Sequence, residues 1–590
     1  MYHLDRSGKI INRKFFHFLF PTVLSTIAIS LNEFVDSIIV SQLLGTGAMS
    51  MVNMGYPVML AYAVFYTLLG VGGSVLYGKL AGEQNMDRAG RIFSVTFTAA
   101  LVVSVLVSAA GLIFLDPLSR VLCGHENLLE VFRPYLRFVL YSGVLIIPIQ
   151  VIISFLTAFG RPGLGTAVNI TANGVNLVLD YVYIRFLGTN LKGAAMATFS
   201  GYAVGLVMIL IALAVGKVRF PFRRFPVSDF RKLPSILARG GAPALNQFGY
   251  CVKTAFCNSL ATAVAGLAGV AVFTLCMQAV SIASIFIAGI ICAMLPIAAS
   301  LQGQRDYSGI RILLSTVLKL QFAVNAAIVV VLELFPQLIL FLYNVDPAYH
   351  DAAVTGLRIF SLMFIFRGFV MLWMYYFQVS NRKVYAAVIG ILDAFAGIIP
   401  LSLLLTRFWG INGLWASFPV LSILMLAGIL LVNSILSRKH PAKYRGLLLL
   451  EREDSSVPVF DSSCPLESGA IAENARRLQA FCAEHIRDSR LAALAALAAE
   501  EMSVYSMSMK AQTEVDMLDL LVKIDPDEIL MDFRTMGKPF DLSSAPAEPF
   551  SSADTLKKIA SSVEYVYNIG LNQTRIRISR NRENQEEKEA

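Results

Sequence analysis

Long apolar segments dominate the first 437 residues and alternate with short polar connections. After Ser437 this pattern ends: residues 441–470 mix charged residues with Ser and Pro and read as a linker, residues 471–580 read as a soluble domain, and residues 581–590 form a charged tail. The apolar segments are long enough for helices to cross a bilayer, and they lie at 15–43, 50–79, 92–115, 133–159, 164–187, 193–215, 235–263, 269–300, 311–334, 355–378, 384–406 and 411–437. The pattern predicts an all-α polytopic membrane protein with twelve helices and a small C-terminal α/β sandwich domain.

The two halves of the apolar region repeat each other. Pro21 opens the first predicted helix and Pro243 opens the seventh, Gly82 in the loop after helix two matches Gly303 after helix eight, and RFLGTNLKGAAMA (185–197) matches RFWGINGLWA (407–416). We therefore predict two six-helix bundles, residues 1–220 and 221–440. Six is an even number, so both bundles have the same orientation, as in a parallel repeat about an axis along the membrane normal. Such a repeat places a cavity between the bundles, which suits alternating access.

The composition supports this class: the 590 residues are 56% hydrophobic and only 15% charged, whereas soluble domains are about 25% charged. The seven cysteines form no CxxC and no metal-binding spacing. The net charge of +9 is spread over loops, which argues against nucleic-acid binding. Lys and Arg concentrate on one side of the predicted helices, above all at Lys217, Arg219, Arg223, Arg224, Arg231, Lys232 and Arg239. By the positive-inside rule we expect a multi-pass protein of the inner (plasma) membrane with both termini in the cytoplasm.

One apolar segment carries an unusual polar face. Asn173, Asn176 and Asp180 are spaced i, i+3, i+7, so they share one face of a helix. A carboxylate at bilayer depth costs about 2.5–3.5 kcal/mol or more and needs a partner or a wet cavity. The repeat places Ala396 and Pro400 at the positions of Asn176 and Asp180, and Asp393 at that of Asn173, so the acid cluster belongs mainly to the first half. This asymmetry favours a functional site over a helix–helix hydrogen-bond contact, which is the alternative.

Two carboxylates, Asp36 and Asp180, together with Asn176 and Thr198, offer hard oxygen ligands. They could hold Na⁺, or the two acids could exchange a proton, because closely placed carboxylates raise one another's pKa. The sequence leaves both coupling ions open. Lys253 could repel cations or form an internal ion pair. The candidates for lining the same cavity are Glu33, Gln150, Asn173, Gln247, Lys253 and Asp393.

These features resemble the multidrug and toxic compound extrusion (MATE) family over roughly residues 10–440. The resemblance rests on the pattern P-x14-D-S-I-I-V-S-x-L-L-G from Pro21 to Gly45, on GEQNMDRAGR (82–91), on NLVLDYVYI (176–184) and on the twin halves. It implies drug export driven by H⁺ or Na⁺, with Asp36, Asn176, Asp180 and Thr198 as the cation site of the N-terminal half. The family's alternative site uses a glutamate in helix seven, and Cys251 stands about where that glutamate would be.

The C-terminal domain resembles the ATP-binding fold of anti-sigma factor kinases and histidine kinases, on LAAEEMSVYSMSM (498–509), ILMDFRTMGKPFDL (529–542) and VEYVYNIGLNQTRIRI (563–578). The resemblance implies a Mg²⁺-binding Asn four residues after Glu501, where this chain has Tyr505. It also implies an adenine-binding Asp where this chain has Thr535, two residues before Gly537. Losing both charge-assisted contacts weakens nucleotide binding, so we expect a degenerate, regulatory domain, or an α/β cap without a ligand.

We therefore predict a secondary transporter that exports organic, cationic or amphipathic compounds, and not an enzyme. The alternatives are a flippase for lipid-linked or peptide-like substrates, a membrane signalling protein whose C-terminal domain binds a partner, and an ATP-using enzyme, which the degraded nucleotide motifs disfavour. We expect no cofactor besides the coupling ion, a small organic substrate, contact with membrane lipid and a monomer. The C-terminal domain is a candidate for binding a cytoplasmic protein.

Overall fold

The computed structural model describes residues 5–44, 46–123, 129–216, 220–342, 350–451, 457–486, 488–512, 514, 516–542 and 551–579. Within these ranges the side chains of residues 29–38, 40–42, 46–51, 53, 123, 227, 246–247, 251, 267–268, 270–271, 342 and 445 are not described. Three of the predicted site residues, Glu33, Asp36 and Gln247, therefore have side chains outside the described part of the structure.

The N-terminal half consists of seven α-helices and one π-helical segment. They are α1 (Lys9–Leu44), α2 (Thr46–Gly82), α3 (Met86–Ile113), α4 (Leu115–Cys123), α5 (Leu129–Ala158), α6 (Pro162–Tyr181), the π segment Val182–Phe186 and α7 (Leu191–Ala214). The C-terminal half consists of a 3₁₀ turn (Val227–Lys232), α8 (Leu233–Gly303), α9 (Tyr307–Leu334), α10 (Pro336–Leu342), α11 (His350–Ser361), α12 (Met363–Val379), α13 (Lys383–Ile391), the π segment Leu392–Ala396 and α14 (Ile398–Lys439).

All twelve predicted apolar segments are helical, so the predicted fold class is confirmed. The long helices α8 and α14 each join two of these segments across one non-helical glycine, Gly266 and Gly410. Eight helices in the described part of the chain are long and apolar enough to cross a membrane. The helix α6 is not among them, because its polar face lowers its mean hydropathy.

The repeat is also present in the backbone, at positions with positive φ. Gln84 (φ 64°) corresponds to Arg305 (54°), and Asn190 (51°) corresponds to Gly410 (57°). Few non-glycine residues adopt this left-handed region. Two such pairs at a spacing of 220–221 residues (305 − 84 and 410 − 190) show that the halves share their turns as well as their helices.

The C-terminal domain has two layers. A five-stranded antiparallel sheet in the order β3-β4-β5-β7-β6 packs on the helices α15 (Ser468–His485), α16 (Ser489–Ser508) and α17 (Ser552–Ile559). Its strands are β3 (Val459–Pro465), β4 (Met517–Ile524), β5 (Glu528–Met536), β6 (Ser562–Asn568) and β7 (Leu571–Ser579), and a short pair, β1 (Tyr444–Arg445) and β2 (Leu450–Glu451), precedes them.

The sheet is buried on both faces, because its other face lies against the helical body. In β5, Ile529, Met531 and Phe533 join the core with α15–α17, whereas Met536 joins the core of the C-terminal half. Side chains alternate between the faces of a strand, so Arg534 shares the outer face with Met536. This explains why β4, β5 and β7 have almost no exposed positions.

Candidate cation site in the N-terminal half

Close packing of α6 against α7 forms the base of the candidate site. A Cβ on Gly201 would collide with the carbonyl of Ala172 and lie 3.0 Å from Cβ of Asn176, and a Cβ on Gly205 would lie 3.3 Å from Ala172. Small residues four apart let membrane helices approach each other closely. The glycines of α7 therefore bring its backbone against the polar face of α6.

The polar face of α6 also binds α1. The Thr166 hydroxyl donates to the carbonyl of Pro21 at 2.7 Å, and the Asn169 amide donates to the Ser25 hydroxyl at 2.8 Å. Gln150 on α5 reaches the Asn169 carbonyl at 3.5 Å. Asn169 was not predicted, although extending the Asn173–Asn176–Asp180 face by one turn would have found it.

Nearer the end of α6, two of the predicted ligands meet. The Asn176 amide donates to the Thr198 hydroxyl at 3.4 Å, and that hydroxyl donates to the Ala194 carbonyl at 3.1 Å. Thr198 thus turns its lone pairs toward Asn176. Asp180 lies one turn further along α6 and is fully buried, at 0% exposure. Asn173 lies half-buried on the same face.

A π-helical segment begins two residues after Asp180. Such segments insert an extra residue into a turn and often mark functional sites. Tyr183 lies within this segment, and its hydroxyl is 3.2 Å from the Ser200 hydroxyl of α7. The structure thus brings Asn176 and Thr198 into contact between α6 and α7, with the buried Asp180 one turn further along the same face of α6. The predicted roles of these residues stay predictions.

Two of the predicted cavity residues lie in the other half. Asp393, in the second π segment, forms an ion pair with Arg367 of α12 at 2.6 Å. Lys253 of α8 is 4% exposed, lies 5.9 Å from the centre of the Tyr250 ring, and is within electrostatic range of Asp393 and Arg367. Lys253, Arg367 and Asp393 form the C-half charge cluster. Sequence reasoning did not assemble it, because its members lie on three different helical segments and Lys253 precedes Arg367 by 114 residues (367 − 253).

Side chains of the C-terminal domain occupy the region where the resemblance to ATP-binding folds would place a nucleotide. Tyr505 of α16 packs on Phe540, with ring centroids 6.1 Å apart. The Tyr567 hydroxyl donates to the carbonyl of Gly537, and Asn572 accepts from the Phe540 amide at 3.0 Å. Burial, followed by the nearby Asp541 carboxylate, raises the pKa of Tyr505. Thr535 is buried in β5 and Glu501 is half-buried on α16.

The chain matches known proteins along its membrane region. The MatE family model matches residues 21–182 and 243–402, one segment in each half. The multidrug export protein MepA of Staphylococcus haemolyticus is 20% identical over 442 residues, which cover 74% of this chain and 96% of MepA. The FAD transporter of Shewanella oneidensis is 23% identical over 435 residues, covering 71% and 94%.

A solved structure of a MOP superfamily transporter from Pyrococcus furiosus, described as having a binding pocket of reverse polarity, has a similar fold. Its TM-score is 0.65 at 21% identity, with 70% of this chain and 94% of that chain covered. Two six-helix halves with a polar site in one of them define a secondary active membrane transporter. The chain belongs to the MatE family, so the predictions of a multi-pass transporter of small molecules in the plasma membrane, and of a transporter instead of an enzyme, are confirmed.

Proposed function

We propose that this chain exports organic, cationic or amphipathic compounds by antiport with H⁺ or Na⁺, and that the coupling ion binds at Asn176, Asp180 and Thr198 together with Asp36. The observation that carries this proposal is the fully buried Asp180 on the polar face of α6, inside the N-terminal half of a transporter fold. Carboxylate, amide and hydroxyl oxygens are the ligands that hard cations prefer. A carboxylate is also the group that can carry a proton.

The helix register supports Asp36 as the second acid. The two hydrogen bonds between α1 and α6 join residues 145 and 144 apart, at Thr166–Pro21 and Asn169–Ser25. The residue numbers increase in the same direction along both helices, so α1 and α6 run parallel. Both helices also have the same rise per residue. Carrying the offset of 144 forward brings position 36 of α1 level with Asp180 (180 − 144 = 36).

Substrate export then follows if the ion-bound and the substrate-bound protein favour different orientations of the two bundles. An ion that enters down its gradient provides about 2.3 kcal/mol per charge per 100 mV, which can bias the exchange between the two orientations of the bundles. The excess of basic loops on one side supports a protein whose termini and C-terminal domain lie in the cytoplasm. We propose that it works as a monomer in contact with lipid, and that its C-terminal domain does not use ATP.

A second candidate substrate class is organic anions. The C-half charge cluster contains two cations and one carboxylate, and buried net charge favours a compensating ligand. The similarity to a transporter of FAD, a phosphate-bearing molecule, points in the same direction. Side-by-side export of a cationic dye and of FAD separates the two classes: inhibition of FAD export alone by Lys253→Met would favour anions.

The main experiment replaces Asp180 by Asn in the full-length protein, reconstituted into proteoliposomes. Ion-driven export of a cationic dye is then measured under a proton gradient and, separately, under a sodium gradient. Asn keeps the size of the side chain but cannot carry a proton or a charge, so we expect export to fall to the level of empty vesicles. Asp116→Asn, which removes an exposed carboxylate of the same half, is the matched control. Undiminished export by Asp180→Asn would refute the coupling site.

A further inference from the structure

The outer face of the C-terminal sheet is fastened to the helical body by a buried charge network. Asp306, in the loop between α8 and α9, accepts from Arg6 at 3.2 Å and from Arg534 of β5. Arg6 also binds Asp461 of β3 at 3.0 Å and Asp519 of β4 at 3.2 Å. Although burial opposes ionisation, Arg534 and Arg6 together hold the pKa of Asp306 well below its usual range. The network therefore joins the N-terminus, the C-terminal half and three strands.

Further contacts surround this network on the side of the C-terminal half. The Lys523 ammonium of β4 donates to the carbonyls of Gln304 and Arg305, at 3.4 and 3.0 Å. Gln573 of β7 reaches the Ser300 hydroxyl at 3.4 Å. All three acceptors lie at the end of α8 or just after it. The domain is thus fixed to the cytoplasmic end of the C-terminal half.

The turn between β6 and β7 extends across to the N-terminal half. Asn568 donates to the Ser300 hydroxyl at 3.3 Å, on the C-terminal half. Two residues later, Gly570 lies against Gly160 of the N-terminal half, where a Cβ would come within 2.6 Å of the Gly570 nitrogen. Gly570 also packs on the Lys14 ammonium of α1. A single hairpin turn therefore touches both halves at once.

The two halves meet directly beside this turn. A Cβ on Gly82, at the end of α2, would collide with the carbonyl of Ser300 and lie 3.1 Å from Cα of Gly303. Ser300 is thus shared by the contact between the halves and by the contact with the hairpin. Opening toward the cytoplasm has to separate Gly82 from Gly303, and it would also pull Gly160 away from a hairpin held on Ser300.

We propose that the C-terminal domain is a cytoplasmic clamp, which holds the cytoplasmic ends of the two halves together and slows opening of the transporter toward the cytoplasm until the domain is released. The clamp acts by binding one of two conformations more tightly, which shifts the equilibrium by that difference in affinity. It needs no nucleotide, because it uses the face of the sheet opposite α15–α17.

The test compares Asp306→Asn with Asn85→Asp in the full-length reconstituted protein. Asp306→Asn keeps an oxygen to cap α9 but removes the carboxylate that Arg6 and Arg534 bind. We expect faster amide exchange in residues 562–579 and at the ends of α2 and α8, and about a tenfold higher transport rate, within the range of typical coupling energies. Asn85→Asp changes the equivalent cap of α3, where the domain does not bind through an arginine, and should change neither readout.

A second pair of variants avoids the charge network, in case Asp306→Asn fails to fold. Gly160→Ala places a methyl group against the hairpin at φ +79°, while Gly188→Ala places one at φ +61° with nothing within 4 Å. Both place alanine at a positive φ, but only the methyl group at position 160 meets the hairpin, so only Gly160→Ala should release the hairpin and raise the transport rate. Faster hairpin exchange with an unchanged or lower transport rate would overturn the clamp, and so would unchanged exchange in both test variants. Amide exchange at the ends of α2 and α8 is measured without substrate. This part of the test therefore does not depend on whether the proposed substrate or coupling ion is correct.

Discussion

The loops that follow α2 and α8 share one backbone but differ in the side chain that caps the next helix, an amide in the first loop and a carboxylate in the second. Each has a residue with positive φ, Gln84 or Arg305, followed by a side chain that caps the next helix. Asn85 accepts from the Arg88 amide at 3.1 Å, and Asp306 accepts from the Gly309 amide at 2.8 Å. Either side chain caps a helix well, but only the aspartate can bind two arginines. One change from amide to carboxylate thus gives the second loop a contact with the C-terminal domain.

The membrane acids of the two halves differ in a similar way. In the N-terminal half, Asp180 shares a helix face with Asn176, which contacts Thr198. In the C-terminal half, Asp393 is held by Arg367 at 2.6 Å. A carboxylate with a permanent arginine partner is poorly suited to binding and releasing an ion in each cycle. The comparison therefore supports the proposed coupling site in the first half, whereas the acid of the second half forms an ion pair.

The largest expected effect comes from breaking that ion pair. Arg367→Ala leaves Asp393 buried beside no arginine, which costs about 3–5 kcal/mol of stability for a buried pair. Thermal unfolding of the purified protein in detergent measures this loss. The double variant Arg367→Leu with Asp393→Leu should recover most of the stability, because it removes both charges. Equal unfolding temperatures for the wild type and Arg367→Ala would show that the pair has no structural role.

The contact between α6 and α7 provides the next prediction. Gly201→Ala forces a methyl group onto the carbonyl of Ala172 and toward Asn176, and such overpacking costs about 1–3 kcal/mol. Because it moves Asn176 away from Thr198, we expect about a tenfold lower apparent affinity for the coupling ion, measured from the ion dependence of transport. Gly174→Ala on α6 is the control, since nothing lies within 4 Å of its added Cβ. An equal effect of both variants would contradict this interpretation.

The clamp should depend on pH through Lys14. Burial, only partly opposed by Glu514, lowers the pKa of Lys14 from its ordinary value of 10.5 to about 8. Glu514 and His17 interact electrostatically with Lys14, and Arg13 interacts with His17. The docked state therefore loses the Lys14 proton first, and docking becomes tighter as pH rises from 7 to 9, by about tenfold from the two pKa values.

Distances between spin labels at Arg88 and Lys557 report docking at the two pH values. Lys14→Met mimics the neutral amine, so it should dock tightly at both pH values and remove the dependence. Looser docking at pH 9 than at pH 7 would reverse the predicted sign and contradict the role of Lys14.

The smallest expected effect is that of adding a nucleotide on the stability and docking of the C-terminal domain. Tyr505 and Phe540 pack together where the resemblance to ATP-binding folds would place a nucleotide. Mg-ATP at about 1 mM should therefore leave both the unfolding temperature and the label distances unchanged. A ligand that binds the folded state in excess of its Kd must raise stability. A clear rise in unfolding temperature would therefore show that the domain binds nucleotide.

Much of the fold could be predicted from the sequence, because membrane helices are set by local apolar runs. Gly82 and Gly303 were matched as loop residues from their neighbours alone, and they prove to touch in space. The polar face of α6 was equally visible, since i, i+3 and i+7 are local spacings. The side chain of Asp36 is not described, so its place beside Asp180 stays a prediction.

Contacts between distant segments could not be predicted. Asp306 looked like an ordinary residue of a repeated loop, and its partners Arg6 and Arg534 lie 300 and 228 residues away. Asp393 and Arg367 are only 26 residues apart, but they lie on different helical segments, and no local spacing specifies that their side chains meet. The both-sided burial of the sheet depends on packing against the other domain, which no strand pattern specifies by itself.

Arg6 has a consequence for how the protein is made. Its partner Asp461 is synthesised 455 residues later. At about 5–20 residues per second, a ribosome needs roughly 20–90 s to cover that distance, during which Arg6 has to stay in water or bind elsewhere. The network can close only after Arg534 has been synthesised, so a chain truncated before β5 would leave Arg6 and Asp306 without their full set of partners.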